Sequence, residues 1–311
     1  MQSAYVGLLS LGRSEQMLGR IVAYVSEKLG RFLKKGDRVL ICFPAGETGG
    51  IGWVMTRAVE RCGAVPVLWG PDYRWKGLLQ QAFYSRAIAI IAPPRIILGL
   101  AKLKRHNGTP IYIRHAVTAG SVCPDWMIDG IAKGLDCQTW GSFGLEDSCV
   151  VAGFSCGKSQ GVHIWEEEYC VEVLDPQGRV LPAGQTGEVV LYSKSDLRLR
   201  CALGLTGRLE MEPCPCGEKT PCLTDIHPGR TVDEELYRLE NQLQQWTSVL
   251  DCRVQRSAYG LELELVVFAG EKLPVLPPAA RLTIKPWDPK HHEPFSYEEK
   301  VKNTDFFPNS H

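Results

Sequence analysis

The chain has 311 residues, 44% of them hydrophobic and 23% charged, and its formal net charge is zero. This is globular composition, long enough for one large domain and a small one, and a neutral balance gives no global attraction to nucleic acid or to an acidic membrane surface. No basic flank and long apolar run open the chain, and the longest apolar run, AIAIIAPPRIILGL, is interrupted by prolines and an arginine and is too short to span a bilayer; a cytoplasmic protein is the expectation, with no nucleic-acid or membrane partner.

The segment SEQMLGRIVAYVSEKLGRFL has helical apolar spacing and places Ser14 as an N-cap. Gly36-Asp37 then turns the chain into the apolar strand RVLICF. Helix GWVMTRAVERCG leads to strand VPVLWG, helix KGLLQQAFYSR to strand AIAIIA, and helix RIILGLAKLKRH to PIYIRHAV. Helix PDWMIDGIAKG and strand CQTWGSF follow. Repeated units of this kind predict an α/β fold with a doubly wound, mostly parallel sheet. Ligands of such sheets bind at the carboxyl ends of strands, here the loops FPAGETGG and WGSFGLEDS.

From residue 149 the texture changes to CVVAGFS, GVHIWEEEYCVEVLD, TGEVVLYSK and LRLRCALGL, an adjoining antiparallel β region over 149–228. After Gly229-Arg230, helix TVDEELYRLENQLQQW and strands DCRVQRS, LELELVVF and RLTIKPW form a small α+β domain. The expected division is a core over 1–228 and a C-terminal domain over 229–311.

Twelve cysteines are many for a reducing compartment, where each is a small buried hydrophobe or a metal ligand. Cys42, Cys62, Cys123, Cys137, Cys149, Cys170 and Cys252 lie singly in apolar or mixed stretches and are expected in the core. Cys156, Cys214, Cys216 and Cys222 sit among Gly, Pro and polar residues. The triplet Gly157-Lys158-Ser159 imitates the end of a phosphate loop. The first glycine of such a loop would fall on Ala152, and the segment runs into a strand rather than a helix, so a turn is expected. Cys156 and His163 bracket this turn, and Cys214-Pro215-Cys216 follows in EPCPCGEKTPC. Thiolate and imidazole suit a tetrahedral structural Zn²⁺ clamping two β segments, with Cys222 able to replace one member; the alternative is unremarkable loop thiols and a histidine bonded within a sheet.

Together, TAGSVCPDWMIDGIAKGLDCQTWGSFGLEDS, GVHIWEEEYCVEVLDPQGRVLPAGQTGEVVLYS, EPCPCGEKTPC and PGRTVDEE resemble the phenylacetate–CoA ligase branch of the adenylate-forming acyl-CoA synthetase superfamily. The resemblance implies a large α/β domain with a small mobile lid, and activation of a carboxylic acid by ATP and Mg²⁺ to an acyl-adenylate and then a coenzyme A thioester. It implies Zn²⁺ on Cys156, His163, Cys214 and Cys216. The run Phe143-Gly144-Leu145-Glu146-Asp147 matches a Y-G-x-[ST]-E motif, so Phe143 is expected to stack on adenine and Asp147 to contact the metal. Gly120-Ser121 falls on an adenine-contacting turn, Arg230 on the hinge, and Lys300 on the catalytic lysine, with Lys302 as the alternative.

Two departures accompany it. The family's Ser/Thr/Gly-rich phosphate loop lies upstream of the point where this chain starts, so an N-terminally truncated core is expected, its sheet edge covered by a partner chain or by a second copy. The family's ribose-binding aspartate falls on Leu205, which cannot accept hydroxyl hydrogen bonds. Two functions are therefore expected in competition. One is an acid–CoA ligase that draws its phosphate loop from a partner; the other is a catalytically inactive, zinc-containing binding or scaffold protein.

Overall fold

The computed structural model describes residues 14–46, 48–69, 74–145, 150–157, 161–195, 200–229 and 233–295. Helix α1 (Glu15–Leu29) starts at Ser14, whose hydroxyl accepts a hydrogen bond from the Met17 N–H at 3.2 Å. Then come β1 (Arg38–Ile41), α2 (Ile51–Arg61), β2 (Val65–Leu68), α3 (Trp75–Ser85), β3 (Ala89–Ala92), α4 (Pro94–Asn107), β4 (His115–Thr118) and α5 (Asp125–Leu135). Strands β1 to β4 pair in parallel in the order β2-β1-β3-β4.

Helices cover both faces of these strands. Val39 and Ile41 of β1 pack in one cluster with α1 and α2, whereas Leu40 packs in another with α3, α4 and α5. In β3, Ala89 and Ile91 divide from Ile90 and Ala92 in the same way. Successive strand side chains point to opposite faces, so a strand covered on both sides reads as a short continuous apolar run.

Strand β5 (Gln138–Leu145) pairs in parallel with β4 and antiparallel with β6 (Val150–Phe154). Beyond it lie β7 (Val162–Ile164), β8 (Tyr169–Leu174), β9 (Thr186–Ser193), β10 (Arg200–Glu210) and β11 (Cys222–Pro228). Among the described residues this sheet has eleven strands in the order β2-β1-β3-β4-β5-β6-β7-β11-β10-β9-β8. The antiparallel region expected beside the α/β core is thus a continuation of the same sheet. Glu168, fully buried just before β8, is compensated by Arg20 of α1 at 2.6 Å and accepts from the Ser193 hydroxyl at 3.1 Å. Arg20 lies over Trp165, on which Tyr24 stacks at 4.4 Å, so α1 is held to both halves of the sheet.

The remaining elements are α6 (Glu234–Gln245), capped by the Asp233 carboxylate, and a separate sheet of β12 (Val249–Ser257), β13 (Gly260–Val267) and β14 (Arg281–Pro286). One face of this sheet forms a small core with Leu243; the other sends Leu250, Val266 and Phe268 into the cluster of α3, α4 and α5. Lys102 of α4 is buried in this junction and donates to the carbonyls of Gln244 at 2.7 Å and Val249 at 2.6 Å. Arg95 pairs with Glu240, and His106 stacks on Phe268 at 4.0 Å. The resemblance implies a mobile lid; here the small sheet is packed onto α4 through buried polar and apolar contacts.

Cys42 and Cys252 are buried, as expected, and Cys62, Cys123 and Cys137 are half-buried; Cys149 lies outside the described residues. Cys170 corrects the expectation. It is exposed, because β8 is an edge strand on which Tyr169 and Val171 take the inner face and the residue between them faces outward. Among the described residues no helix is long and apolar enough to cross a membrane.

Replacing Lys102 by Met leaves two buried carbonyls without their donor, and is expected to lower unfolding stability by about 1–3 kcal/mol in urea titrations. Burial lowers the Lys102 amine from 10.5 to about 8. Between these values the unfolded chain still holds the proton that the folded chain has released, so rising pH favours folding. The stability gap between wild type and Lys102→Met should widen from pH 8 to 10.5; a gap that is flat or narrows contradicts this assignment.

Candidate functional site

Beyond the carboxyl end of β4, where the parallel half of the sheet meets the antiparallel half, lies a cleft of about 690 Å³. Its walls come from the turn after β4, the first turn of α5, strand β5, the β6–β7 connection, and strands β10 and β11. The expected nucleotide residues Gly120, Ser121, Phe143 and Gly144 all line it, and so does Leu205. Asp147, Arg230 and Lys300 lie outside the described residues, as do Glu146 and Lys302.

Side chains pin the strand ends that shape this cleft. The Thr118 hydroxyl donates to the Trp140 carbonyl at 3.1 Å, and Ser155 Oγ accepts from the Gly141 N–H at 2.7 Å. A return bond runs from the Ser155 N–H to the Gly141 carbonyl, also at 2.7 Å. Gly144 is required by close approach, since a Cβ there would collide with the Val150 carbonyl of β6. Cys123 also lines the cleft, and burial pushes its thiol up to about 12 against the pull of a hydrogen bond with Thr118.

The polar residues of the far wall escaped the sequence reading. Arg208 of β10 and Thr224, Asp225 and His227 of β11 line the cleft, and Arg208 Nη2 lies 3.3 Å from Asp225 Oδ2. Arg208 Nε is also 2.6 Å from Glu210 Oε1. The available signal was proximity in sequence: Asp225 lies five residues before Arg230 in TDIHPGR.

Cys156, His163, Cys214 and Cys216 come together on the other side of the β6–β7 connection, each offering a ligand atom within 4.8 Å of the others. Cys156 Sγ and Cys214 Sγ are 3.7 Å apart, and Cys216 Sγ is 3.4 Å from His163 Nε2. A tetrahedron with Zn–S of about 2.3 Å and Zn–N of about 2.0–2.1 Å has S···S edges near ~3.8 Å and S···N edges near ~3.6 Å, so the donor set fits zinc. The Thr220 carbonyl lies 3.2 Å from His163 Nδ1; a bond from an Nδ1–H to it leaves Nε2 as the lone-pair nitrogen facing the thiols. Cys216 is pushed up to about 11, by burial first, against the Glu218 N–H and helped by the neighbouring Cys214 and Cys156 thiols; a divalent cation reverses that balance. Cys222 is buried on β11 opposite His163 and is outside this set. Glu218 ties the cysteine loop to Lys28 of α1 at 3.2 Å and to Arg31, just past the end of that helix, at 3.1 Å. The turn imitating a phosphate loop connects strands β6 and β7; Lys158 and Ser159 lie outside the described residues.

This architecture is that of the adenylate-forming acyl-CoA ligases. A 2-hydroxyisobutyryl-CoA ligase solved in its postadenylation state in complex with R3-HIB-AMP superposes with a TM-score of 0.65 at 18% identity, covering 79% of this chain and 58% of that one. In sequence the chain is similar to phenylacetate–coenzyme A ligases. It is 29% identical over 202 residues to the one from Thermus thermophilus, matching 61% of this chain and 44% of the ligase. It is 27% identical over 169 residues to the one from Pseudomonas putida, matching 52% and 38%. The chain therefore spans less than half the length of the curated relatives it matches. No family model matches it.

Gly144→Ala forces β5 and β6 apart and is expected to destabilise the protein by about 1–3 kcal/mol or more in chemical denaturation. An unchanged midpoint would show that the two strands do not pack as described.

Proposed function

We propose that this chain is the nucleotide- and acyl-binding core of an AMP-forming acid–CoA ligase. One observation carries the proposal. Gly120-Ser121 and Phe143-Gly144, from two separate segments of the matched motifs, line one cleft at the strand ends of a fold whose neighbour carries an acyl-AMP adduct. In the proposed reaction a carboxylate oxygen attacks the α-phosphorus of ATP·Mg²⁺ and pyrophosphate leaves. The coenzyme A thiolate then attacks the acyl carbonyl and AMP leaves. The same 2-hydroxyisobutyryl-CoA ligase solved in complex with 2-HIB-AMP and CoA supports the second half-reaction.

Phe143 supplies a stacking surface for adenine, and the Gly120-Ser121 turn presents backbone to the base edge. Asp147 holds Mg²⁺, Arg230 the nucleotide, and Lys300 the charge that develops where carboxylate meets α-phosphate. A partner chain or a second copy covers β2, the last strand of the sheet among the described residues. A structural Zn²⁺ on Cys156, His163, Cys214 and Cys216 clamps the two β loops, and the protein works in the cytoplasm on a small carboxylic acid.

A second reading is favoured by Leu205, whose apolar side chain lines the cleft where the ribose anchor is expected. On it, the chain is an inactive, zinc-containing binding or scaffold protein. Pyrophosphate release with ATP, Mg²⁺ and a panel of aryl and aliphatic acids separates the two. Turnover, or an ATP-dependent thermal shift with a defined acid, supports the ligase; absence of both leaves the scaffold.

Purified protein is expected to carry about one zinc per chain by elemental analysis. Cys214→Ser should lose it and unfold at lower temperature, because the metal contributes directly to folding. Metal-free protein with an unchanged melting temperature removes the zinc assignment.

A further inference from the structure

Four consecutive residues of β11, Thr224, Asp225, Ile226 and His227, line the cleft. A regular strand cannot do this, since alternate side chains point to opposite faces. The pairing with β10 explains it. Thr206 faces His227 and Arg208 faces Thr224, so the single residue Gly207 on β10 stands against two on β11, Asp225 and Ile226. This is a bulge on β11, and Asp225 takes its left-handed position at φ +51°. Bulges beside active sites re-aim side chains, and aspartate is among the few non-glycine residues that tolerate this backbone region.

We propose that Asp225 is the anchor for a vicinal diol, the 2′- and 3′-hydroxyls of a bound adenine nucleotide; this rests on the nucleotide reading above and names the group that holds the sugar. The residue expected to do so, Leu205, lines the same wall from β10 and has no acceptor atom. Asp225 presents a carboxylate from the adjacent strand, and a carboxylate can take one hydroxyl hydrogen bond on each oxygen. Arg208, at 3.3 Å from Oδ2, fixes the orientation of the carboxylate from one side. Among the described residues the other carboxylates lining the cleft, Asp125 and Asp129, stand on α5, and Asp129 faces Lys133 at 3.8 Å on its own helix. The loss of an acceptor at Leu205 is thus compensated one strand away.

Calorimetric titration of the zinc-loaded wild-type protein with AMP and with 2′,3′-dideoxy-AMP tests this. The dideoxy nucleotide should bind about 10- to 100-fold more weakly, the range of hydrogen bonds to a charged group. Asp225→Asn should weaken AMP to a similar degree and abolish the discrimination, with Asp175→Asn, outside the cleft lining, unaffected. Asp225→Gly serves as a second variant: glycine is at ease at this φ, so its fold is preserved while the acceptor is gone. Retained discrimination in both Asp225 variants, or equal binding of the two nucleotides by the wild type, overturns the role of Asp225 and leaves the nucleotide cleft standing. Failure of the wild type to bind either AMP or ATP·Mg²⁺ overturns both.

Discussion

The double pairing of β5 is the constraint on which the site depends. Its first residues run parallel to β4, from Gln138 opposite His115 to Gly141 opposite Thr118. Its last residues run antiparallel to β6, from Ser142 opposite Phe154 to Leu145 opposite Val150. A parallel neighbour needs a crossover helix, which α5 supplies, whereas an antiparallel one needs only a short connection. Strand β5 therefore runs past the end of β4 while the chain returns alongside it, and the space left at that step is the cleft. The reciprocal bonds between Gly141 and Ser155 hold the step in place, and Gly144 lets β6 approach.

The same turn of topology creates the cysteine–histidine cluster. Strand β7 lies between β6 and β11, with His163 opposite Cys222. This brings Cys156 and His163 against the loop that carries Cys214 and Cys216. That loop has few apolar side chains to bury, so it depends on polar links: the four donors themselves, and Glu218 on Lys28 and Arg31. One loop segment thus faces the cleft at Gly157 and Gly161 and the donor cluster at Cys156 and His163. Perturbing the cluster should be felt in the cleft by mechanical continuity alone.

At the opposite end, the small sheet is joined to α4 by an arrangement with a high cost of separation. Lys102 and Asp251 are both buried there, and Asp251 accepts from the backbone N–H groups of Cys252 and Phe295. Separating the surfaces would expose Leu250, Val266 and Phe268 as well as undoing these bonds. Motion of the small sheet must therefore either carry α4 with it or break a buried polar network.

Much was legible in the sequence for a local reason. Helical and strand periodicity located the elements around Val39, Ile90 and Leu18, and donor chemistry singled out Cys156, His163, Cys214 and Cys216. The segments GVHIWEEEYCVEVLDPQGRVLPAGQTGEVVLYS and EPCPCGEKTPC pointed to the acyl-CoA ligase fold. Periodicity and spacing act over a few residues, so they survive without knowledge of partners. Three features did not: the outward side chain of Cys170, the continuity of the β region with the parallel sheet, and the entry of Asp225 into the cleft. Each depends on which strand lies beside which, and in what register. Asp225 reads in sequence as one polar residue in TDIHPGR; only pairing with β10, with Gly207 opposite two residues, turns its carboxylate into the site. The sequence by itself determined the elements, the metal-type donor set and the similarity to acyl-CoA ligases, because these are written in short-range pattern. Tertiary structure alone decided which polar groups face the cleft, because strand register is a long-range agreement between segments that neither segment contains.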